Sequence, residues 1–371
     1  MIVGIDAKRI VRNGTGLGSY GRTLVNDLIR MGDSEMQLRL YAPDEGRDDL
    51  RGQIIGDGNV QFCYPGGHPS ALRKAWWRSH SVVSDLVRDG VSLYHGLSGE
   101  LPIGLRKKGI RGVVTIHDLI FMRHPEYYHW IDTRIYEWKF RQALREADRI
   151  IAISERTRQD IIELGGEQYA DRIELIYQSF APRFSSEIKP ERKALVREQY
   201  KLPQRFVLNV GTIEERKNLA LAAEAVELLP QDIHLVAVGR QTEYAKQVPH
   251  SDRIHMLSGV PDSDLAAIYA MAEVFVYPSR YEGFGIPVIE AQAAGTPVIT
   301  SNTSSLPEVA GDSAVCVDPT SIEAIAEGIK DILTDDNLRS GLISKGYTNA
   351  KRYSCENAGE NLFKFLISLK K

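Results

Sequence analysis

The sequence predicts an α/β protein with two domains, each containing a parallel β-sheet. Short apolar segments alternate with amphipathic segments along the chain, which is typical of strand–helix units in parallel sheets. The chain has 371 residues, a length that suits two domains of about 150–200 residues better than one. The alternation pauses between about residues 178 and 204, where prolines and mixed charges indicate a linker, and then begins again.

Composition and charge are those of an ordinary globular protein. Hydrophobic residues make up 43% of the chain and charged residues 26%, and the net charge of −3 gives no indication of nucleic-acid binding. The three cysteines lie far apart without metal-ligand spacing, so neither a disulfide scaffold nor a metal site is expected. No apolar run approaches the roughly 18 residues of a membrane span, and the chain opens on an apolar strand without a basic leader. We therefore expect a protein that is either cytoplasmic or peripheral to a membrane.

The first half begins with a strand at 2–5, a glycine-rich stretch at 13–21 and an amphipathic helix that ends near Met31. Gly16 and Gly18 give this stretch only a superficial likeness to a dinucleotide-binding fingerprint. Six or more residues separate it from the strand, and no acidic residue clearly ends the next strand. Further strands of this half are expected at about 38–41, 60–63, 91–94, 112–116, 149–153 and 172–176.

His117 and Asp118 follow directly after the buried-type strand at 112–116. Ligands of open parallel sheets bind beyond the carboxyl ends of the strands, so this pair faces the expected ligand-binding edge. A single histidine is also often a structural residue, and Asp118 is expected to brace the loop. The position favours His117 as a site residue.

Residues 68–88 predict a helix that carries Trp76 and Trp77 among cations. This mixture is typical of an amphipathic patch that contacts an anionic membrane surface, and the basic run at 106–108 could add to it. The alternative is that the indoles pack in the core while the cations are solvated. The cations of the helix are Arg73, Lys74 and Arg78.

In the second half, a clean strand at 206–210 leads into Gly211 and Thr212 and then to Arg216 and Lys217. The two cations stand near the start of a predicted helix, where the helix dipole disfavours positive charge. Their presence there indicates a bound anion such as a diphosphate, since arginine grips phosphate oxygens in pairs and lysine adds a point charge. The alternative is a solvated surface pair.

The stretch from 279 to 300 predicts a loop followed by a short helix and a strand. Gly283 and Gly285 lie in the loop, and Glu282 and Glu290 bracket the start of the helix. The free N–H groups of a helix N-terminus suit a phosphate, and an ionised carboxylate accepts two hydrogen bonds from a sugar diol. The stretch therefore indicates a sugar-nucleotide site. Alternatively, Glu290 only complements the helix dipole.

This stretch closely resembles the retaining glycosyltransferases of the GT-B fold, family 4. Their hallmark is two glutamates with seven residues between them, and the sequence Glu-Gly-Phe-Gly-Ile-Pro-Val-Ile-Glu at 282–290 keeps that spacing. The resemblance extends over essentially the whole chain and is strongest over 206–311. It implies two Rossmann-like domains that face each other across a deep cleft. The implied parts are an N-terminal acceptor-side domain (1–178), a linker (179–200), a nucleotide-sugar-binding domain (201–352) and a C-terminal helix (353–371) that returns to the first domain.

The resemblance also implies catalytic roles for four residues. Arg216 and Lys217 would neutralise the leaving diphosphate, Glu282 would hold hydroxyls of the transferred sugar, and His117 would orient that sugar and stabilise its oxocarbenium-like centre. Glu290 would hold the ribose diol of the donor. The other implied donor-binding residues are Gly16, Gly18, Gly211, Thr212, Gly259, Val260, Gly283, Phe284, Gly285 and Ile286.

One departure from the family pattern concerns Thr212, where many members carry arginine, so the phosphate contacts are expected to be rearranged around Arg216.

The family moves a sugar from a nucleotide-sugar to a hydroxyl with retained configuration and requires no metal or other cofactor. The glycine-rich opening and the Arg-Lys-Asn motif most resemble bacterial mannosyltransferases of surface-polysaccharide assembly.

That likeness implies GDP-mannose as the donor and a glycan acceptor, on a lipid carrier at the inner face of the cell membrane. The alternatives are a transferase that uses a UDP- or dTDP-sugar, a GT-B epimerase of UDP-N-acetylglucosamine, and a non-catalytic subunit that binds sugar nucleotides.

Overall fold

The chain forms two compact units in the computed structural model, which describes residues 1–32, 36–56, 58–67 and 69–370. The first unit contains the chain from Met1 to Ser179 and the segment that begins at Cys355, and the second unit contains Phe180–Ser354. His68 and Lys371, which fall within predicted ranges, lie outside the described residues.

The first unit is built on a parallel sheet, seven-stranded within the described residues, in the order β3-β2-β1-β4-β5-β6-β7. Parallel neighbours need a crossover connection, which explains why helices alternate with the strands. The strands are β1 (Ile2–Asp6), β2 (Gln37–Tyr41), β3 (Val60–Cys63), β4 (Leu93–Gly96), β5 (Arg111–Ile116), β6 (Arg149–Ala152) and β7 (Ile173–Leu175). The helices are α1 (Lys8–Arg12), α2 (Gly16–Met31), α3 (Asp48–Arg51), α4 (Ala71–Trp76), α5 (Val82–Arg88), α6 (Ile120–Arg123), α7 (Trp130–Glu146) and α8 (Glu155–Gly165).

The segment predicted as one helix over 68–88 consists of α4, a π-helical turn at Trp77–Ser81, and α5. Trp77 is only 7% exposed, and its Nε1–H donates to Asp85 at 2.6 Å. Trp76 is 61% exposed and stacks on His80 with ring centroids 4.0 Å apart. Of the two alternatives, core packing therefore holds for Trp77, while Trp76 remains exposed to solvent.

The second unit has a parallel sheet, six-stranded within the described residues, in the order β10-β9-β8-β11-β12-β13. Its strands are β8 (Arg205–Val210), β9 (Ile233–Val238), β10 (Ile254–Leu257), β11 (Val274–Tyr277), β12 (Val298–Ser301) and β13 (Ala314–Val317). Its helices are α9 (Pro190–Gln199), α10 (Leu219–Glu227), α11 (Asp262–Tyr269), α12 (Ile286–Ala293), α13 (Leu306–Ala310), α14 (Ile322–Thr334) and α15 (Asp336–Lys351). The 3₁₀ turns of the two units are Arg106–Lys108, Pro125–Tyr127, Glu167–Arg172, Pro182–Ser185, Glu215–Lys217 and Glu243–Gln247.

Most of the segment expected to be a linker, 179–200, belongs to the second unit. Helix α9 packs on α11, with Arg192 paired to the buried Asp264 and Val196 fully buried. Tyr200 adds a hydrogen bond from its hydroxyl to Asp264 at 2.8 Å. The prolines of this segment therefore mark turns and a helix start, and the two units meet along the chain at 179–180.

The last helix, α16 (Glu360–Ser368), follows a π-helical turn at Cys355–Gly359 and belongs to the first unit. Its Leu362 and Leu366 are buried in the same core as Leu24 and Leu28 of α2. The sheet of the second unit has its own core, in which α10 and α14 cover β8, β9 and β11. Each unit thus buries a hydrophobic core of its own.

The strand order reverses once in each sheet, between β1 and β4 in the first unit and between β8 and β11 in the second. In open α/β sheets, ligands bind beyond the carboxyl ends of the strands at such a topological switch point. The fold therefore singles out the segments that follow these four strands.

Candidate active site

The loop after β11 carries the first predicted glutamate to the switch point of the second sheet. It runs from Pro278 to Gly285, which precedes the first residue of α12. Gly285 has a φ of +124°, and a Cβ at this position would lie 2.7 Å from Cδ2 of Leu306. Only glycine fits this left-handed, crowded junction, so Gly285 fixes where α12 begins.

Two serines of the next loop hold this loop in place. The Ser304 hydroxyl accepts the amide N–H of Glu282 at 3.0 Å, and the Ser305 hydroxyl donates to the carbonyl oxygen of Phe284 at 2.7 Å. Ser304 has a φ of +57°, which is uncommon for a residue other than glycine. Neither serine is among the site residues predicted from the sequence.

Glu282 is the centre of a buried, charged cluster. Its Oε1 accepts from Nζ of Lys217 at 2.8 Å and from the hydroxyl of Tyr277 at 2.9 Å, and it lies 2.9 Å from Nη1 of Arg216. Burial raises the pKa of Glu282, but the charges of Arg216 and Lys217 outweigh burial and lower the pKa to about 2. Burial lowers the pKa of Lys217, but the charge of Glu282, the interaction with Tyr277 and the hydrogen bond to Glu282 together raise it by more. The carboxylate and the ammonium are therefore both ionised at neutral pH. Tyr277 is a cluster member that the sequence analysis missed.

Local backbone features place the two cations beside Glu282. They end the 3₁₀ turn Glu215–Lys217, ahead of α10 and not within it, and Asn218 then adopts the left-handed conformation with φ of +61°. The buried amide of Asn218 donates to the carbonyl oxygens of Pro278 at 3.1 Å and Pro319 at 2.6 Å. This ties the turn after β8 to the loop after β11. Gly211 has a φ of +146°, and a Cβ there would lie 3.0 Å from Cδ of Lys217.

Glu290 lies on α12, half-buried, and its Oε2 accepts from the hydroxyl of Tyr269 at 3.1 Å. Burial raises the pKa of Glu290 to about 8, with a smaller upward contribution from Asp262, while the hydrogen bond from Tyr269 acts in the opposite direction. At neutral pH this carboxyl group therefore carries a proton, in contrast to Glu282. Tyr269 is not among the site residues predicted from the sequence, because no local pattern singles it out.

The remaining predicted residues of the second unit lie in connections at the carboxyl edge of its sheet. Thr212 directly follows Gly211 after β8, and Gly259 and Val260 lie between β10 and α11. Gly259 is exposed with a φ of +71°. The structure thus brings Arg216 and Lys217 into direct contact with Glu282. It places Ile286 and Glu290 on α12 and the remaining predicted residues of this unit in loops.

His117 follows β5 in the first unit, and hydrogen bonds engage both nitrogens of its ring. Nε2 lies 2.7 Å from the carbonyl oxygen of Leu97, and the side-chain amide of Gln178 lies 2.8 Å from Nδ1. A carbonyl oxygen only accepts, so Nε2 carries the proton and Nδ1 accepts from Gln178. Burial lowers the pKa of His117 to about 4, so the ring is neutral. Tyr20 packs edge-on against it at 4.6 Å.

Asp118 accepts the amide N–H of Ile120 at 3.2 Å, as expected for a residue that braces this loop. Gly16 and Gly18, expected in a glycine-rich stretch ahead of the helix, lie in the first turn of α2 itself. A Cβ at Gly18 would lie 1.7 Å from the carbonyl oxygen of Asn13, so close backbone packing explains this glycine.

No group of three or more His, Cys, Asp or Glu residues in the part of the chain that the structure describes is arranged to hold a metal ion. None of the described helices has the length and apolar character needed to cross a bilayer.

The chain matches two family models, Glycosyltransferase Family 4 over residues 14–180 and Glycosyl transferases group 1 over residues 192–349. It is 36% identical over 281 residues to O-antigen chain mannosyltransferase B of Escherichia coli, a match that covers 71% of each chain. It is 28% identical over 285 residues to the serotype-specific mannosyltransferase WbdA of Escherichia coli, which covers 72% of this chain and 35% of that protein. The chain therefore spans about a third of the length of WbdA.

Among solved structures, the sucrose-phosphate synthase of Thermosynechococcus elongatus superimposes with a TM-score of 0.81 and 21% sequence identity, covering 100% of this chain and 99% of that chain. At this identity the likeness concerns the fold alone. The fold class predicted from the sequence, GT-B with two parallel-sheet α/β domains, is confirmed.

Proposed function

Because the chain belongs to the glycosyltransferases of group 1 and family 4, we propose that it transfers mannose from GDP-mannose to a hydroxyl group of a glycan acceptor. In this proposal the anomeric configuration is retained, and neither a metal ion nor another cofactor is required. The observation that carries the proposal is the Glu282 cluster at the switch point of the second sheet, with Arg216 and Lys217 held against it. The mannosyltransferase names of its relatives support the choice of sugar.

The two cations act on the leaving group. As the bond between the anomeric carbon and the diphosphate breaks, negative charge develops on the diphosphate oxygens, and fixed cations in a buried site stabilise that charge strongly. Lys217 is held by Glu282 and Tyr277, so its ammonium needs no rearrangement to be in position. A loop that ends at a helix N-terminus, as at Gly285, adds backbone dipoles that favour an anion.

Glu282 acts as a hydrogen-bond acceptor for hydroxyls of the transferred sugar. A carboxylate whose pKa is about 2 is weakly basic, and Oε1 already accepts two hydrogen bonds. Such a group is poorly suited to remove a proton or to form a covalent intermediate, but its second oxygen can accept from a hydroxyl. The acceptor oxygen then attacks the anomeric carbon from the face on which the diphosphate leaves, and its proton passes to an oxygen of the diphosphate. This front-face route leaves the configuration unchanged.

Glu290 holds the ribose diol, and His117 contributes as a neutral ring. A ribose diol donates best to an ionised carboxylate, so nucleotide binding and the loss of the proton from Glu290 are coupled. In this proposal His117 contacts the transferred sugar as a neutral ring and supplies no positive charge, because burial lowers its pKa to about 4.

The acceptor in this proposal is a growing glycan on a lipid carrier at the inner face of the cell membrane. Trp76, exposed beside the cations of α4, is the side chain through which the protein makes peripheral contact with that surface.

The test is a screen of sugar nucleotides followed by a transfer assay. Melting temperature is measured with GDP-mannose, UDP-glucose, UDP-N-acetylglucosamine and dTDP-sugars, each at high excess. A ligand at 100 times its dissociation constant stabilises by about 2.7 kcal/mol, so one donor class should stand out. Transfer is then measured to mannose-terminated lipid-linked oligosaccharides with and without EDTA, and the anomeric configuration of the product is determined by NMR.

The expected result is a shift with GDP-mannose and an α-linked product whose formation EDTA does not affect. A shift with UDP- or dTDP-sugars alone would overturn the choice of donor. An inverted product would overturn the front-face route, and conversion of the donor without an acceptor would indicate an epimerase. Binding without turnover on any acceptor would indicate a non-catalytic subunit.

A further inference from the structure

Tyr277 is the uncharged member of the Glu282 cluster. It ends β11 and is 1% exposed. Its hydroxyl accepts from Nζ of Lys217 at 2.6 Å and donates to Oε1 of Glu282 at 2.9 Å. Because Nζ also donates to Oε1 at 2.8 Å, the three atoms form a closed triangle of hydrogen bonds. Burial and the charge of Glu282 raise the pKa of Tyr277 to about 12, so the hydroxyl keeps its proton at neutral pH.

The packing of the Tyr277 ring fixes the place of this hydroxyl. The ring lies within 20° of parallel to that of Phe275, with centroids 5.7 Å apart, and Phe275 packs on Tyr269 at 5.4 Å. Alternate residues of a strand share a face, which explains why Phe275 and Tyr277 stack. Tyr277→Phe would therefore keep the aromatic packing and remove only the hydroxyl.

The hydroxyl controls the orientation of the Lys217 ammonium group. An ammonium group has three N–H bonds, and those of Lys217 donate to Glu282 and to Tyr277 in two directions. Two fixed directions also fix the third, since the three N–H bonds are arranged around one C–N axis. A lysine paired with a carboxylate alone can rotate about that axis. The Tyr277 hydroxyl therefore determines where the third N–H of Lys217 points.

Arg216, the second cation of the cluster, is oriented without Tyr277. Its Nη2 pairs with Glu214 at 2.6 Å, and its Nη1 lies 2.9 Å from Oε1 of Glu282. The N–H groups of a guanidinium point in fixed directions within one plane, so two carboxylates orient it. In formal charge, the same two carboxylates balance Arg216 and Lys217. Stabilisation of a diphosphate by this cluster therefore depends on where its N–H groups point and not on a surplus of positive charge.

We infer that Tyr277 is a positioning residue that directs one N–H of Lys217 toward the charge that develops on the leaving diphosphate. It acts on the reaction only through Lys217. The inference rests on the proposed transferase function, because that function supplies the diphosphate as leaving group. It adds a buried, uncharged residue to the site, and it makes the site selective for the terminal charge of a diphosphate over a monophosphate.

The first test is a double-mutant cycle of Tyr277→Phe and Lys217→Ala. In the wild-type background, Tyr277→Phe should lower kcat at least tenfold while the KM for the donor stays within threefold, because the charge develops only in the transition state. In the Lys217→Ala background, the same change should lower kcat by less than twofold, because the group that Tyr277 positions is gone. An equal fall in both backgrounds, or a kcat of Tyr277→Phe within twofold of the wild type, would overturn the inference.

Tyr200→Phe is the matched control. The Tyr200 hydroxyl also donates to a buried carboxylate of the second unit, that of Asp264, at 2.8 Å. Its removal should lower the melting temperature as Tyr277→Phe does, but it should leave kcat within twofold of the wild type. A fall in kcat as large for Tyr200→Phe as for Tyr277→Phe would show that lost stability explains the result, and it would overturn the inference.

The second test measures binding and does not depend on turnover. Isothermal titration calorimetry gives the dissociation constants of GDP and GMP, and of UDP and UMP, for the wild type, both single variants and the double variant. A nucleoside diphosphate carries on its terminal phosphate the charge that develops when the sugar leaves. Tyr277→Phe should therefore weaken binding of the diphosphate that the wild type prefers at least tenfold, and change binding of the matching monophosphate by less than twofold. The double variant should bind this diphosphate no more weakly than Lys217→Ala does.

The two tests separate the inference from the function on which it rests. If a diphosphate binds in the expected pattern but no acceptor receives a sugar, the proposed function fails and the positioning role stands. If transfer occurs but the effects of Tyr277→Phe and Lys217→Ala multiply, the positioning role is refuted and the transferase remains. An equal loss of affinity for diphosphate and monophosphate upon Tyr277→Phe would also refute the positioning role. If the wild type binds none of the four nucleotides, both proposals fall.

Discussion

Glu282 and Glu290 show how two side chains of one type acquire opposite charge states from their surroundings. Two cations and a tyrosine surround Glu282, and its pKa falls to about 2. Burial dominates at Glu290, where a tyrosine hydroxyl is the hydrogen-bond partner, and its pKa rises to about 8. A site that shifts the pKa values of two carboxyl groups in opposite directions can give the two groups different tasks. Their spacing in the sequence could not reveal this difference, because it depends on side chains from other loops.

At the residue scale, the first prediction concerns Lys217. Replacing Lys217 by alanine removes the ammonium group that is proposed to stabilise the leaving diphosphate. We expect kcat to fall by about 10²–10³-fold, because this is the usual effect of removing one preorganised donor from a site where negative charge develops. Steady-state kinetics at saturating donor would measure this. Lys246→Ala is the control, since Lys246 is an exposed lysine that pairs with Glu243. A Lys217→Ala enzyme with kcat within threefold of the wild type would contradict the role.

The second residue-scale prediction concerns the pH dependence of stability. The pKa of Glu290 rises from 4.5 to about 8 on folding, so between these values the native state holds a proton that the unfolded state has lost. The contribution of Glu290 to the free energy of unfolding is therefore fully present below about pH 4.5 and is lost as the pH rises through about 8. The melting temperature of the wild type relative to Glu290→Gln should fall over this interval and then level off.

Tyr269→Phe sharpens this test. The hydrogen bond from Tyr269 lowers the pKa of Glu290, so its loss should raise that pKa and move the transition to higher pH. A difference between the wild type and Glu290→Gln that does not change from pH 5 to pH 9 would mean that Glu290 does not titrate in this range.

At the scale of elements, the junction between the loop and α12 depends on a single glycine. Gly285→Ala would force a side chain into a left-handed conformation and against Leu306, which should destabilise the protein by about 1–3 kcal/mol and weaken donor binding. Gly341→Ala is the matched control, because Gly341 lies within α15 with open space around its Cα. That change should stabilise by up to about 1 kcal/mol. Urea unfolding of both variants would measure these effects, and a neutral Gly285→Ala would show that the junction can relax.

The adjacent tryptophans of the α4–α5 segment provide another element-scale prediction. Trp77→Ala should cost about 3–5 kcal/mol, as expected for the loss of a buried aromatic side chain. Trp76→Ala should change the free energy of unfolding by less than about 0.5 kcal/mol, and it should weaken binding to vesicles of anionic lipid. Equal losses of stability in urea unfolding would contradict the assigned burial. Unchanged vesicle binding by Trp76→Ala would rule out membrane contact through this segment.

These elements also show which features of the structure could be predicted from the sequence. Apolar segments identified the strands of both sheets, because buried parallel strands carry nearly continuous apolar residues, and the spacing of the glutamates identified the family. Neighbouring helix positions differ by about 100° in direction, but both indoles are flanked by cations, so the pattern did not show which one is buried. The contact between Gln178 and His117 joins distant parts of the chain, and no local pattern records it.

At the scale of the whole molecule, the first unit is discontinuous and the second is continuous. Prolines and charges suggested a boundary near 179–200, but the packing of α9 on α11 moves that boundary to 179–180. A boundary depends on which core a segment is buried against, and composition does not report this. Each sheet reverses its order once and gathers charged side chains at that point, around Glu282 in one unit and around Arg78 in the other.

The separate cores lead to a prediction about how stability is distributed. Leu366 of α16 is fully buried in the core of the first unit, so Leu366→Ala should cost about 2–5 kcal/mol. Hydrogen exchange should then accelerate for the amides of β1 and α2, and the amides of β8 and β9 should keep their wild-type rates, since local stability follows the core that covers each element. Lys364→Ala, which removes an exposed side chain of the same helix, should leave both sets of rates unchanged. Equal acceleration in β1 and β8 upon Leu366→Ala would show that the two units unfold as one cooperative structure.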